Sequence, residues 1–287
     1  MACGCKSELH YQIELNNIIK HSEEIYSYIF KSNDIKTWLE GDNSQVSLEY
    51  KGVAISKKLS LASIPFESEI RITTRIVKEM SDYKKAFKNL KIGDKVSISS
   101  PKSGLRFKRD DSPVIILSNG VGIAVTRAFM KVFDNDSRGI PSLTQINIDR
   151  ELEVFKEEFA QIERSKANVK SIYVHNRKDY YNIIDYEAQN ILDQELQEPT
   201  FYIVGSDNFV LDTMNHLKSV GFRDENLVVE KHILGGGCGC SSGGGCGCGS
   251  NKLDKSSDEK ALPLKNFKSL FKHEVPLNYV HENLRTF

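Results

Sequence analysis

Val114-Ile-Ile-Leu-Ser-Asn-Gly-Val-Gly-Ile-Ala-Val-Thr-Arg127 is the stretch on which the fold turns. Four apolar residues in a row read as a strand buried on both faces. The glycine pair Gly120 and Gly122 makes a turn, and the run through Ala128-Phe-Met-Lys-Val-Phe133 has helical spacing. The same rhythm repeats downstream. Strand-like Leu143-Thr-Gln-Ile-Asn-Ile, Val169-Lys-Ser-Ile-Tyr-Val, Phe201-Tyr-Ile-Val and Asn226-Leu-Val-Val-Glu alternate with helical stretches over 155–162, 186–196 and 209–220. Such alternation predicts a doubly wound parallel α/β sheet, whose ligands bind outside the carboxyl ends of its strands.

Upstream, from residue 10 to about 108, the pattern has period two. Tyr11-Gln-Ile-Glu-Leu, Ile25-Tyr-Ser-Tyr-Ile-Phe, Gln45-Val-Ser-Leu-Glu-Tyr, Glu69-Ile-Arg-Ile-Thr-Thr-Arg-Ile-Val and Lys95-Val-Ser-Ile-Ser are short runs rich in β-branched and aromatic residues. Turns at Glu40-Gly-Asp-Asn and Ile92-Gly-Asp separate them, which predicts a small antiparallel barrel or sandwich. One helix interrupts the series from Ser81, a candidate N-cap, to about Leu90. The expected organisation is a barrel over 8–110, an α/β domain over 111–232 and a tail over 233–287.

At 287 residues the chain exceeds one ordinary core. Lys+Arg and Asp+Glu both number 39, so no global field favours nucleic acid or an anionic membrane, and neither is expected as a partner. No apolar run approaches the roughly 18 residues of a membrane span, and Met1-Ala-Cys-Gly-Cys-Lys-Ser lacks a basic-then-apolar leader, so a cytoplasmic location is expected.

Three segments carry the chemistry. Lys57-Lys-Leu-Ser-Leu-Ala-Ser-Ile-Pro65, the strand Ile70-Arg-Ile-Thr-Thr-Arg-Ile76 and the helix opening Ser81-Asp-Tyr-Lys-Lys-Ala-Phe87 together resemble the flavin-binding signature of ferredoxin-NADP reductase-like proteins, Arg-x-Tyr-Ser with a following Ser and Pro. The resemblance spans about 10–232 and rests on the order of its motifs. It implies a six-stranded antiparallel barrel that binds FAD, followed by a domain for NADH or NADPH. Lys57 takes the arginine position and neutralises the flavin pyrophosphate, keeping the charge without the bidentate fork. Leu59 takes the aromatic position and loses stacking on the isoalloxazine. Ser60 bonds the ring near N5, the atom that exchanges hydride, and is the implied catalytic residue. Ser63, Thr74, Arg75 and Ser81 complete the implied flavin set, the last through the amides of the helix that it caps.

Within the same resemblance Gly120 and Gly122 correspond to the Gly-Gly-Ile-Gly-Ile-Thr-Pro opening of the nicotinamide domain, with Asn119, Ala124 and Val125 departing from it. Val204-Gly-Ser-Asp207 is similar to the reductases' Cys-Gly-Pro turn, so Gly205, Ser206 and Asp207 are implied beside the nicotinamide. Glu230 matches the acidic residue near the end of the last strand; it is either a catalytic-pocket group or a surface carboxylate. Asp149 and Arg150 follow the second strand of the α/β domain. Asp149 suits a ribose 2′-hydroxyl and Arg150 a 2′-phosphate, with NADH the preferred reading. The implied activity passes hydride from NAD(P)H to FAD and then electrons to an acceptor, in which case an electron-acceptor protein is a further partner.

All six cysteines lie in Cys-Gly-Cys pairs. Cys238, Cys240, Cys246 and Cys248 sit in a glycine-rich stretch read as a tether, and soft thiolates at that density suit zinc or copper. A dithiol relay and an unliganded linker are the other readings. A metal-binding or thiol-relay protein on a reductase-like scaffold is therefore the competing function. The apolar residues from Leu262 to Phe287 are read as a docking tail.

Overall fold

The computed structural model describes residues 9–31, 35, 37–150, 153–194 and 196–230. Alternation in the first third produces six main strands: β1 (His10–Lys20), β2 (Ile25–Lys31), β3 (Asp42–Tyr50), β4 (Val53–Ser60), β5 (Glu69–Arg75) and β6 (Lys95–Ser99), with a two-residue β7 (Lys102–Ser103). They pair antiparallel in the order β4-β3-β6-β1-β2-β5, with β7 on β3. The result is the expected β-layer in half-barrel form. Its outer strands meet just beyond β4, where the Ala62 amide donates to the Arg71 carbonyl at 2.8 Å. Phe30, Trp38, Val46, Ile70, Ile72 and Phe87 fill the hollow. Phe87 comes from α1 (Asp82–Lys88), which plugs one end.

The second sheet contains β8 (Val114–Asn119), β9 (Leu143–Ile148), β10 (Val169–Val174), β11 (Thr200–Val204) and β12 (Leu227–Val228). All are parallel, in the order β10-β9-β8-β11-β12. Helices α2 (Ile123–Asn135), α3 (Lys156–Ser165), α4 (Arg177–Asp193) and α5 (Asp207–Ser219) connect them. The chain leaves β8 first toward β9 and later returns to its other side as β11, so the topological switch lies between β8 and β11. Their carboxyl ends, Asn119 and Val204, are where a doubly wound sheet holds its ligand.

Helix α4 begins well before the expected 186, because Asn176 caps it by accepting from the Asp179 amide at 3.0 Å. Its opening Arg177-Lys178-Asp179 is charged, with Arg177 and Lys178 exposed, so the apolar period that marks a helix starts only afterwards.

The two sheets share a seam. On β5 the alternation sends Ile70 and Ile72 into the barrel core, while Arg71, Thr73 and Arg75 share the opposite face. Arg71 reaches Glu158 of α3 at 3.9 Å, and Arg75 reaches Asp149 beyond β9 at 2.5 Å. Arg127 of α2 is 1% exposed. It donates to both carboxylate oxygens of Glu67 at 2.6 and 3.0 Å, to both of Glu158 at 2.6 and 2.9 Å, and to the Ala62 carbonyl at 2.6 Å. Burial works against the Glu158 carboxylate, yet Arg127 and Lys131 outweigh it and hold its pKa below the ordinary value. The linker between sheets is pinned by Tyr202, whose hydroxyl donates to the Arg106 carbonyl at 2.7 Å and accepts from the Lys108 amide at 2.6 Å.

Candidate active-site crevice

A cavity of about 470 Å³ opens where the end of β4 faces the switch point. That volume lies within the range of small-molecule and cofactor sites. Its barrel wall is Lys57, Lys58, Leu59 and Ser60 with Thr73 and Thr74 of β5. The opposite wall is Asn119, Val121 and Gly122 after β8, and Val204, Gly205 and Ser206 after β11, with Glu230 at the margin. Segments far apart in sequence thus converge on one crevice.

The glycines have steric reasons to be there. A Cβ on Gly122 would lie 2.5 Å from the Val204 carbonyl oxygen, so only glycine lets the start of α2 pass the end of β11. A Cβ on Gly205 would meet the Phe209 ring at 2.5 Å. Gly120 has φ +53° and lies under the Asp149 carboxylate. These contacts draw backbone from the two switch-point strands close together and leave the wall between them thin.

On the barrel wall, β4 is an edge strand paired only with β3; Lys57 is exposed there, and Leu59 packs partly on the barrel core. Ser60, half-buried, lies opposite Asn43. The Asn43 amide nitrogen is buried and has no hydrogen-bond partner. A Cβ on Gly104 would come within 2.7 Å of Glu230 Oε1 and 3.1 Å of Asn43 Nδ2, so glycine at 104 leaves room for a carboxylate and an amide at the mouth.

The most strongly perturbed cation in the region is Lys84. Its ammonium donates to Thr74 Oγ1 on the crevice wall. Burial, and secondarily the charge of Lys57, lower its pKa from 10.5 to about 8. A half-buried ammonium whose hydrogen-bond partner is a hydroxyl, beside a second lysine, is electrostatically suited to an anion.

Of the expected site residues, the structure brings Lys57, Leu59, Ser60, Thr74, Gly122, Gly205, Ser206 and Glu230 to the crevice. Others are occupied elsewhere. Ser63 is fully buried, and its hydroxyl accepts from the Arg71 amide at 2.9 Å, so it shapes the β4–β5 turn instead of facing the cavity. Ser81 accepts from the Lys84 amide at 3.4 Å as the cap of its own helix; Ser206, though on the crevice wall, also caps its helix by accepting from the Phe209 amide at 3.4 Å. Arg75 and Asp149 bind each other across the seam. Arg150 and Asp207 are exposed and do not line the cavity. Cys238, Cys240, Cys246, Cys248 and the tail lie outside the described residues. Among the described residues no three His, Cys, Asp or Glu side chains form a metal-binding group.

Sequence reasoning missed Lys84, Asn43 and Arg127. The i, i+3 spacing of Ser81 and Lys84 was a usable sign, since it sets Lys84 one turn beyond the cap. Arg127 gave none, because its carboxylates are 60 and 31 positions away.

Comparison with known proteins places this geometry. No family model matches the chain. Flavohemoprotein B of Dictyostelium discoideum is 24% identical over 246 residues, covering 75% of this chain and 57% of that protein. NADPH-dependent diflavin oxidoreductase 1 of Candida albicans is 28% identical over 132 residues, 40% of this chain and 22% of that protein. This chain thus spans little more than half of the one and under a quarter of the other. Among solved structures, a ferredoxin NADP+ reductase from Neisseria gonorrhoeae with bound FAD and NADP superposes with a TM-score of 0.63 at 14% identity, covering 75% of this chain and 92% of that one. Flavohemoglobin from Malassezia yamatoensis with bound FAD and heme gives 0.65 at 15% identity, covering 77% and 59%. The chain has the ferredoxin-NADP+ reductase fold, an antiparallel half-barrel joined to a parallel α/β sheet.

Proposed function

We propose that the protein is an FAD-dependent NAD(P)H oxidoreductase: hydride passes from a reduced nicotinamide to FAD, and the electrons then pass to an acceptor. The observation that carries this reading is the position of the crevice, between the Lys57-Leu59-Ser60 end of the barrel and the switch point of the parallel sheet. The similarity to flavohemoproteins and a diflavin oxidoreductase supports it. The donor set fits a phosphate-bearing cofactor, since Lys57 and Thr74 line the barrel wall and the Lys84 ammonium stands against Thr74 from α1. Bound flavin supplies the hydride-accepting ring, and the chain supplies orientation and exclusion of water.

In this reading Lys57 and Thr74 hold phosphate, Leu59 lies against the ring and Ser60 bonds its edge. Gly120, Gly122, Gly205 and Ser206 let the dinucleotide approach the sheet, and Glu230 closes the mouth. Arg75 and Asp149 bound the ribose end, where the carboxylate favours NADH. Division of labour follows 8–110 for flavin and 111–232 for nicotinamide. The lack of any described helix long and apolar enough to cross a membrane, together with the balanced charge, fits work in the cytoplasm.

Ser60→Ala tests the assignment. FAD affinity should change little, while stopped-flow reduction by NADH slows about a hundredfold, the low end for a lost polar contact to the reacting group. Unchanged reduction removes Ser60 from the reacting edge.

A further inference from the structure

One hydrogen-bonded path enters the crevice from behind. His21 stands in the β1–β2 turn, half-buried. Its Nε2 lies 2.8 Å from Ser27 Oγ, and Ser27 Oγ lies 2.7 Å from Thr73 Oγ1. Ser27 of β2 and Thr73 of β5 are direct cross-strand partners. Ser27 is 0% exposed, yet Thr73 lines the cavity. Both hydroxyls can donate and accept, so the chain runs unbroken from an imidazole with access to water, through a buried hydroxyl, to the crevice wall.

From this geometry we infer that His21, Ser27 and Thr73 form a proton relay that connects the crevice to solvent. The inference rests on the flavin reading above. A reduced nicotinamide gives up two electrons and one hydrogen as hydride. When the electrons leave for a one-electron acceptor, one proton per electron pair remains behind and must reach water. Thr73 accepts that proton as it donates its own to Ser27, Ser27 donates to His21 Nε2, and the imidazole releases a proton to solvent. No bond other than O–H and N–H is made or broken; rotation of the two O–H bonds and exchange of the ring's proton between its nitrogens through water then return the relay to its starting state.

The surroundings of His21 suit a carrier that must unload. Burial, and then the charge of Arg71, lower its pKa below the ordinary histidine value. Glu158 of α3 works in the opposite direction, and Arg127 of α2 adds to the lowering. The ring is held edge-on to Phe155, with centroids 5.0 Å apart, which fixes its plane toward Ser27. A resting neutral imidazole accepts at Nε2, and its charged form is short-lived.

Ser27→Ala and His21→Phe interrupt the chain without altering the cavity wall. Each variant of the full chain, loaded with FAD and reduced anaerobically by NADH, is mixed with ferricyanide in a stopped-flow cell. Reduction should be little changed, because hydride transfer needs no relay. Reoxidation should slow about tenfold, with an enlarged solvent deuterium effect, and added imidazole should restore His21→Phe. Without cofactor, histidine-ring NMR should find His21 Nε2 unprotonated at neutral pH, and its titration midpoint should move in Ser27→Ala. Wild-type reoxidation rates and isotope effects in both variants would overturn the relay. A wild-type protein that takes up no FAD, or is not reduced once loaded, instead fails the flavin reading, and the relay falls with it.

Discussion

Arg127, fully buried at the seam, and Lys84, half-buried beside the crevice, are two cations held in opposite ways. Arg127 is enclosed by Glu67, Glu158 and a backbone carbonyl, so each N–H of its guanidinium is matched by an acceptor. Lys84, partly buried, leans on a threonine hydroxyl near another lysine. The first arrangement is complete and holds two sheets together. The second carries a desolvation cost that a bound anion would offset, and a protein keeps such a group where a ligand rewards it.

Breaking the complete site should have the larger effect. Arg127→Met leaves half-buried Glu67 without its cation and Glu158 with only Lys131 and Arg71, and should destabilise the fold by about 3 kcal/mol in chemical denaturation, the low end for a broken buried pair. A loss below about 1 kcal/mol would mean that Glu67 and Glu158 find water or another cation. Lys84→Met should act on binding instead: FAD affinity weakens about tenfold, roughly 1.4 kcal/mol, while riboflavin, which has no phosphate, binds as before. Loss of affinity for both ligands would mark Lys84 as structural.

Acid and base distinguish the same two sites. The Glu158 pKa is depressed in the fold, so its contribution is present above its unfolded value of about 4.5 and is lost as pH falls through the folded value. Unfolding on the acid side should therefore soften in Arg127→Met relative to wild type. Lys84 falls to about 8 in the fold, so between that value and its unfolded 10.5 the unfolded chain binds more protons. The ligand-free protein should gain stability across that interval, and Lys84→Met should abolish the gain in a pH series of denaturation midpoints.

The smallest expected change is at the seam's outer end. Asp149→Asn removes a buried carboxylate paired to the partly exposed Arg75, and since the amide can still accept from the guanidinium, stability should move by about 1 kcal/mol. The ratio of kcat/KM for NADPH to that for NADH should rise about threefold, because an amide does not repel a 2′-phosphate. An unchanged ratio would place the ribose elsewhere.

Much of this was legible in the chain. Val114-Ile-Ile-Leu followed by Gly120 and Gly122 marked β8 and its turn, since a doubly buried strand and a glycine-limited crossing leave residue types that nothing else explains as well. The switch point followed from the order of strands and helices. The barrel side was harder to read. Edge strand β4, with its solvent-facing Val53-Ala54, has no buried alternation, and only its resemblance to a flavin motif drew attention to it. Ser63 was misplaced because a serine in a turn has two uses, and here the backbone of Arg71 takes its hydroxyl. The Arg71-Thr73-Arg75 stripe became meaningful only once α3 and the end of β9 were seen against it. Pairings between residues 60 or more positions apart leave no local pattern.

The central claim is tested most directly by an anaerobic absorption spectrum of the 287-residue chain mixed with FAD, freed of excess cofactor and then given NADH. The account predicts a yellow protein that bleaches on addition of the nucleotide and recovers its colour with an electron acceptor. A colourless protein that retains no flavin, or a yellow one indifferent to both NADH and NADPH, would contradict it.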